Sequence, residues 1–256
     1  MGARTEATRT ATGQDYWQES ARPLASLAFV APMLLIYEVG CLVLGRNAAR
    51  NGADVWLRQL LDLLGFSQYF LLPAVTCGLL LGWHHLTRRP WRLRYSVLYG
   101  MLLESVAFGF LLMLLAGWQR ALFAPQPTVC AVAASRAREI TGLLVGYLGA
   151  GIYEELLFRL VLLSAAIGGL RLCRVPPRWS AVAAAVMTSA LFAAAHCQID
   201  LTIGGHRFAT AAADVFTWYS FTFRFLAGCY FSGLFLYRGF GVAAGAHAAY
   251  DIFTLL

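Results

Sequence analysis

The chain contains no lysine, so its net charge of +7 is carried by arginine alone, and charged residues of both signs make up only 13% of it. So little charge excludes a disordered polyelectrolyte. The arginines cluster between long apolar runs, which reads as topology determinants and lipid-headgroup contacts, not as a nucleic-acid footprint. Six scattered cysteines (Cys41, Cys77, Cys130, Cys173, Cys197 and Cys229) show no CxxC spacing, which excludes a disulfide framework and a zinc ribbon. HExxH is also missing, and with it the helix-borne zinc-protease pattern. No signal-peptide core occurs in residues 1–23, and Met1-Gly2 fails the myristoylation pattern because Glu6 stands where Ser or Thr is needed.

What the sequence does have is apolar length. It is 59% hydrophobic over 256 residues with mean hydropathy +0.63, so a multi-pass, all-α membrane protein is expected in place of one or two soluble domains. Residues 1–23 are expected to form a polar, unstructured tail. Residues 24–139 read as N-terminal membrane helices, and residues 140–256 as a membrane core that holds the chemistry.

Seven spanning helices are expected, at about 24–44, 69–86, 95–118, 140–170, 179–196, 209–237 and 239–256. Glu38 and Glu104 lie inside the first and third. Asp54, Arg58, Gln59 and Asp62 form a polar stripe on an otherwise apolar stretch, which reads as an interfacial helix at about 54–66. His84 and His85 diverge on a helix and are expected to be interfacial anchors, not a metal pair. Asp214 lies near the start of the sixth span, Arg224 deep within it, and Gly228 and Gly233 should allow close helix approach. The arginine-dense loops at 86–94 and 171–178 place the N-terminus on the cytoplasmic side. An arginine-only, alanine-rich composition leans towards a bacterial inner membrane.

The fourth apolar run carries Gly151-Ile152-Tyr153-Glu154-Glu155-Leu156-Leu157-Phe158-Arg159. An ionised side chain at a helix centre costs about 2.5–3.5 kcal/mol on insertion scales, so such a cluster needs partners. Adjacent helical residues point about 100° apart, and Glu155 stands four residues before Arg159 in the favourable order for a pair. Glu155 is thus expected to partner Arg159, leaving Glu154 free for chemistry. Two further apolar helices offer His196, and His247 with Asp251 four residues on.

Glu154-Glu155-x-x-x-Arg159, then Phe192-x-x-x-His196, then His247-x-x-x-Asp251 resembles the CAAX protease and bacteriocin-processing (CPBP, Abi) family of intramembrane proteases, over roughly residues 140–256. The resemblance implies an endopeptidase acting within the lipid bilayer on a peptide or protein substrate, of which prenylated proteins are the class the family name suggests, and without nucleic acid. It assigns Glu154 and His196 to water activation, and His247 and Asp251 to the oxyanion. The best-known members carry Asn at the last position. An ionised Asp cannot donate a hydrogen bond, so Asp251 is expected to orient His247. No cofactor is favoured; were zinc present, Glu154, His196 and His247 would be its ligands. A proton-coupled transporter is a competing reading, though no paired broken helices are seen. A non-catalytic scaffold or immunity protein is another.

Overall fold

The computed structural model describes residues 16–45, 50–66, 69–123, 137–197, 200–203, 206–209 and 215–255. Asp214, expected near the start of the sixth span, and residues 124–136, which include Pro125 and Pro127, lie outside these. The elements, in order, are α1 (Pro23–Leu44), α2 (Gly52–Leu63), α3 (Leu71–Leu86), α4 (Tyr95–Phe123) and α5 (Ala137–Glu155). A π-helical segment (Leu156–Leu163) leads directly into α6 (Ser164–Leu172). Then follow α7 (Pro177–Ala195), β1 (Asp200–Ile203), β2 (His206–Ala209), α8 (Trp218–Arg238) and α9 (Phe240–Phe253).

Three of these helices, α1, α4 and α7, are long and apolar enough to cross a membrane, and α3 is a shorter apolar helix. Their outward faces carry exposed Leu, Val, Ile and Phe side chains, among them Leu35, Val43, Leu103 and Phe110. A bilayer, not a protein core, suits such faces. The remaining helices of the expected seven are shorter, segmented or interrupted by charge.

The bundle is built around α9, which packs against α1, α4, α5 and α8. Residues 240–248 are buried throughout, and six of the nine are Gly or Ala. Small side chains let neighbouring backbones approach closely, the usual basis of helix association in membranes. A Cβ on Gly151 of α5 would meet the Ala244 carbonyl oxygen at 2.5 Å, and one on Gly109 of α4 would meet the Ala246 oxygen at 2.9 Å. Gly228 likewise brings α8 onto Ser189 of α7. Gly233, expected to do the same, faces open space.

The all-α class holds, with one short antiparallel hairpin of β1 and β2 that pairs Asp200 with Ala209. Two further expectations are corrected. The helix expected from residue 209 begins only at Trp218, where the Thr217 side chain accepts from the Ser220 N–H and caps it. Residues 16–23 do not belong to an unstructured tail either. Residues 16–20 are helical and docked, because Glu19 pairs with Arg94, and Ser20 accepts from Arg238, whose guanidinium also lies 3.8 Å over Trp17.

The interfacial helix is present as α2, but its polar stripe turns inward at Asp54 and Arg58. Asp54 is fully buried and accepts from Tyr37 at 2.8 Å, Arg50 at 2.9 Å and Arg58 at 2.6 Å. Arg58 also reaches Glu38 at 3.1 Å, and Glu38 accepts from the Tyr153 hydroxyl at 2.5 Å. Glu38 is thus a partnered carboxylate, and Glu104 is another, held by Arg238 at 2.6 Å. Leu60, Leu63 and Leu64 face outward instead. Burying one unpaired charge costs far more than exposing a few leucines to lipid, which explains the inversion. His84 is no surface anchor either: it is fully buried, edge-on to Trp91 at 4.6 Å, while His85 stays exposed.

Candidate active site

Glu154 and Glu155 close the last α-helical turn of α5, and Arg159 sits in the π-helical segment that follows. All three are buried. A π-helix places bonds from i to i+5, and the Ser164 hydroxyl reaches the Arg159 carbonyl across that interval at 3.4 Å. The adjacent carboxylates diverge. Glu155 faces Arg159 at 3.0 Å, and Arg159 also reaches the Gly228 carbonyl at 3.4 Å. The Arg159 guanidinium lies 4.4 Å from the Phe192 ring centre and 5.4 Å from that of Phe231, so aromatic faces replace much of its lost water.

Glu154 turns the other way. Its Oε1 accepts a hydrogen bond from the Asn51 amide at 2.7 Å. Its Oε2 is buried with no direct hydrogen-bond partner, and lies 3.6 Å from both His196 Nε2 and His247 Nε2. These separations are too long for direct bonds and suit a shared small oxygen species between the groups.

Each imidazole is fixed from behind. His196 caps the C-terminus of α7, and its Nδ1 donates to the Phe192 carbonyl at 2.8 Å, which leaves Nε2 as the atom turned to Glu154. His247 Nδ1 lies 2.7 Å from Glu155 Oε1, and Phe231 stacks on the ring at 4.5 Å and 11°. The orienting bond to His247 therefore comes from Glu155. Asp251, expected to supply it, lies on the opposite edge, 3.8 Å from Nε2. The cause is helical phase: one turn along α9 puts Asp251 beside Nε2, while Nδ1 points into α5.

All six residues singled out in the sequence are thus neighbours: Glu154, Glu155, Arg159, His196, His247 and Asp251. Asn51 was not singled out. It is the N-cap of α2, and its Oδ1 accepts from the Ala53 N–H at 2.7 Å, which leaves only Nδ2 to meet Glu154. Asn before Gly, with Asp54 in the first turn, is a readable helix start, but nothing local ties it to a residue 103 positions away. Among the described residues, no group of three or more His, Cys, Asp or Glu is arranged to hold a metal ion. His196, His247 and Asp251 line one end of a cavity of about 530 Å³ between α4, α8 and α9.

Residues 136–253 match the family model "Type II CAAX prenyl endopeptidase Rce1-like". That stretch carries every site residue except Asn51, and its similarity supports a CAAX-type intramembrane endopeptidase in general. Together with the apolar helices it points to an integral membrane protein of the protease class. No curated protein and no solved structure matches the chain.

Proposed function

From this family similarity we propose that the chain hydrolyses a peptide bond of a membrane-associated or lipidated substrate, with water activated by Glu154 and His196. The observation that carries the reading is Glu154 Oε2: buried, unpartnered by protein, and equidistant at 3.6 Å from two fixed imidazoles. A water there donates one hydrogen to Oε2 and the other to His196 Nε2. Its oxygen attacks the scissile carbonyl carbon, and the proton released passes to the Glu154 carboxylate.

The oxyanion that forms is held by His247. With Nδ1 committed to Glu155, the protonated ring donates from Nε2 into the site. A preorganised donor in a water-poor cavity is worth far more than in bulk solvent. When the intermediate collapses, the proton on Glu154 is delivered to the leaving nitrogen as the C–N bond breaks. Arg159 balances Glu155, so that Glu155 can hold His247 without an uncompensated buried charge. Asp251 borders the oxyanion side of the ring. In this reading the carboxylate and the imidazole activate the water without a metal.

The test is a comparison of protein termini in membranes and medium of cells expressing wild type or Glu154→Gln. New termini present only with wild type are expected, and chelation with 1,10-phenanthroline should leave them. Equal catalogues from two folded, inserted proteins would refute proteolysis. Loss on chelation with recovery on adding zinc would refute the metal-free form.

A further inference from the structure

Glu154 has Tyr153 beside it in the chain and Asn51 beside it in space, and a buried line of side chains joins these two neighbours. The Tyr153 hydroxyl donates to Glu38 of α1 at 2.5 Å. Glu38 also accepts from Arg58 of α2 at 3.1 Å, and Arg58 pairs with Asp54, one turn earlier, at 2.6 Å. Asp54 stands in the first turn of α2, whose N-cap is Asn51, and the Asn51 amide meets Glu154 Oε1 at 2.7 Å. The line therefore leaves α5 at Tyr153, crosses α1 and α2, and returns to α5 at Glu154. Tyr37 and Arg50 add two more donors to Asp54, at 2.8 and 2.9 Å. None of the side chains in this line borders the cavity that His196, His247 and Asp251 line.

Resting on the proposed peptidase reading, we propose that Arg58 is a positioning residue for Glu154: it seats α2, so that Asn51 fixes Oε1 and Oε2 stays between the two imidazoles. Apolar packing does not suffice for this. Only Ala53 and Asp54 of the twelve residues of α2 are buried, and Leu60, Leu63 and Leu64 face outward. Hydrophobic contact is also non-directional, whereas a reacting group must be held to within about 0.5 Å. Arg58 supplies the direction. Its Nε meets Asp54, its Nη1 donates to the Tyr69 carbonyl ahead of α3 at 2.5 Å, and its Nη2 meets Glu38. One planar guanidinium thus ties α2 to α1 and to the approach to α3, whereas an ammonium, whose donors share one nitrogen, cannot span three acceptors set this way. Arg50 and Arg58 together balance Asp54 and Glu38, which makes the burial of the set tolerable.

The test uses wild type, Asn51→Ser, Tyr153→Phe, Arg58→Lys and the double variant Asn51→Ser with Arg58→Lys in phosphatidylcholine vesicles, with a quenched-fluorescent farnesylated peptide as probe. Arg58→Lys should lower kcat about fivefold or more and leave KM within about twofold, because the reacting group is misplaced while the cavity is untouched. Tyr153→Phe, which removes only the hydroxyl on Glu38, should act in the same direction and less strongly. The double variant should be no slower than Asn51→Ser alone, since both losses act through one amide, whereas independent structural losses multiply.

A chemical readout removes dependence on turnover. The hydrophobic reagent dicyclohexylcarbodiimide modifies carboxyl groups within a bilayer, and tandem mass spectrometry separates adducts on Glu154 from those on Glu155. With Oε1 released from Asn51, Arg58→Lys should label at Glu154 about threefold faster than wild type, while Glu155, held by Arg159 and His247, keeps its rate. That pattern upholds the positioning role even if wild type cleaves no peptide, in which case only the peptidase reading falls. An unchanged kcat in Arg58→Lys, losses that multiply in the double variant, an unchanged Glu154 labelling rate, or equal acceleration at both glutamates would overturn it. Should Arg58→Lys not fold, Tyr153→Phe, alone and combined with Asn51→Ser, decides by the same readouts.

Discussion

Asn51 offers a separation of two functions in one side chain. Its Oδ1 caps α2 through the Ala53 N–H, and its Nδ2 holds Glu154 Oε1, both at 2.7 Å. Losing an N-cap costs about 0.5–2 kcal/mol. Losing a hydrogen bond to a charged, buried group costs about 1.5–3 kcal/mol. Asn51→Ser keeps a capping oxygen but cannot reach Glu154, so it should bear mainly the second cost. Asn51→Ala should bear both. The larger effect falls on turnover, because a carboxylate released at Oε1 is free to rotate Oε2 away from the two imidazoles. Misplacement of a reacting group by about 1 Å costs on the order of a hundredfold. Asn51→Ser is therefore expected to lower kcat ten- to a hundredfold with KM little changed, and Asn51→Asp at least as much. The latter sets a second carboxylate against Oε1, and two such groups retain a proton between them. The assay is cleavage of a labelled peptide in vesicles, with the apparent melting temperature of each variant as a control for folding. If Asn51→Ser keeps kcat within twofold of wild type while its stability falls, the amide serves α2 alone and the positioning argument is wrong.

Further consequences can be checked in the same assay. Gly151→Ala should push α5 off α9, since its Cβ would stand 2.5 Å from the Ala244 oxygen and 2.8 Å from the Ala248 Cβ. Overpacking of this kind costs about 1–3 kcal/mol, and it should also stretch the 2.7 Å contact between His247 and Glu155; Gly168→Ala, which faces open space, is the control and should be silent in melting temperature and turnover. Arg159→Met leaves Glu155 buried without its counter-charge, a loss of about 3–5 kcal/mol, so little folded protein should be recovered. Arg159→Met together with Glu155→Gln should regain folded protein without regaining turnover, as measured by detergent-extracted yield and peptide cleavage.

The parts of the site that were legible in the sequence share one property: each is an ionisable residue where hydrocarbon would expel it. Glu154, Glu155, Arg159, His196, His247 and Asp251 stand out for that reason, as does the Glu155–Arg159 spacing. The helix positions were legible because apolar runs of bilayer length leave few alternatives. Asn51 was hidden because its meaning lies in a contact from the start of α2 to α5, not in its neighbours. The exchange of roles at His247 was hidden because spacing alone shows which residues share a helix face, not which ring nitrogen they meet. The same limit applies to α2, whose stripe was visible but whose direction depended on Tyr37, Glu38 and Tyr153 lying opposite. The start of α8 was obscured by the mostly apolar residues 208–216, broken only by Thr210 and Asp214, which read as a continuation of the helix.

The π-helical segment between Glu155 and Ser164 acts as a phase offset in the chain. A π-turn holds one residue more than an α-turn, so the segment rotates all that follows it by roughly 100° relative to an uninterrupted helix. Deleting a single leucine from Leu156–Leu163 would leave composition, hydropathy and the glutamate pair intact. It would nevertheless let the helix run on regularly and turn Arg159 and the following turns away from Phe192 and Phe231. In this chain the count of residues in one stretch is itself information that the site depends upon, and an alignment that admits a gap there would score as related a protein that could no longer assemble the site.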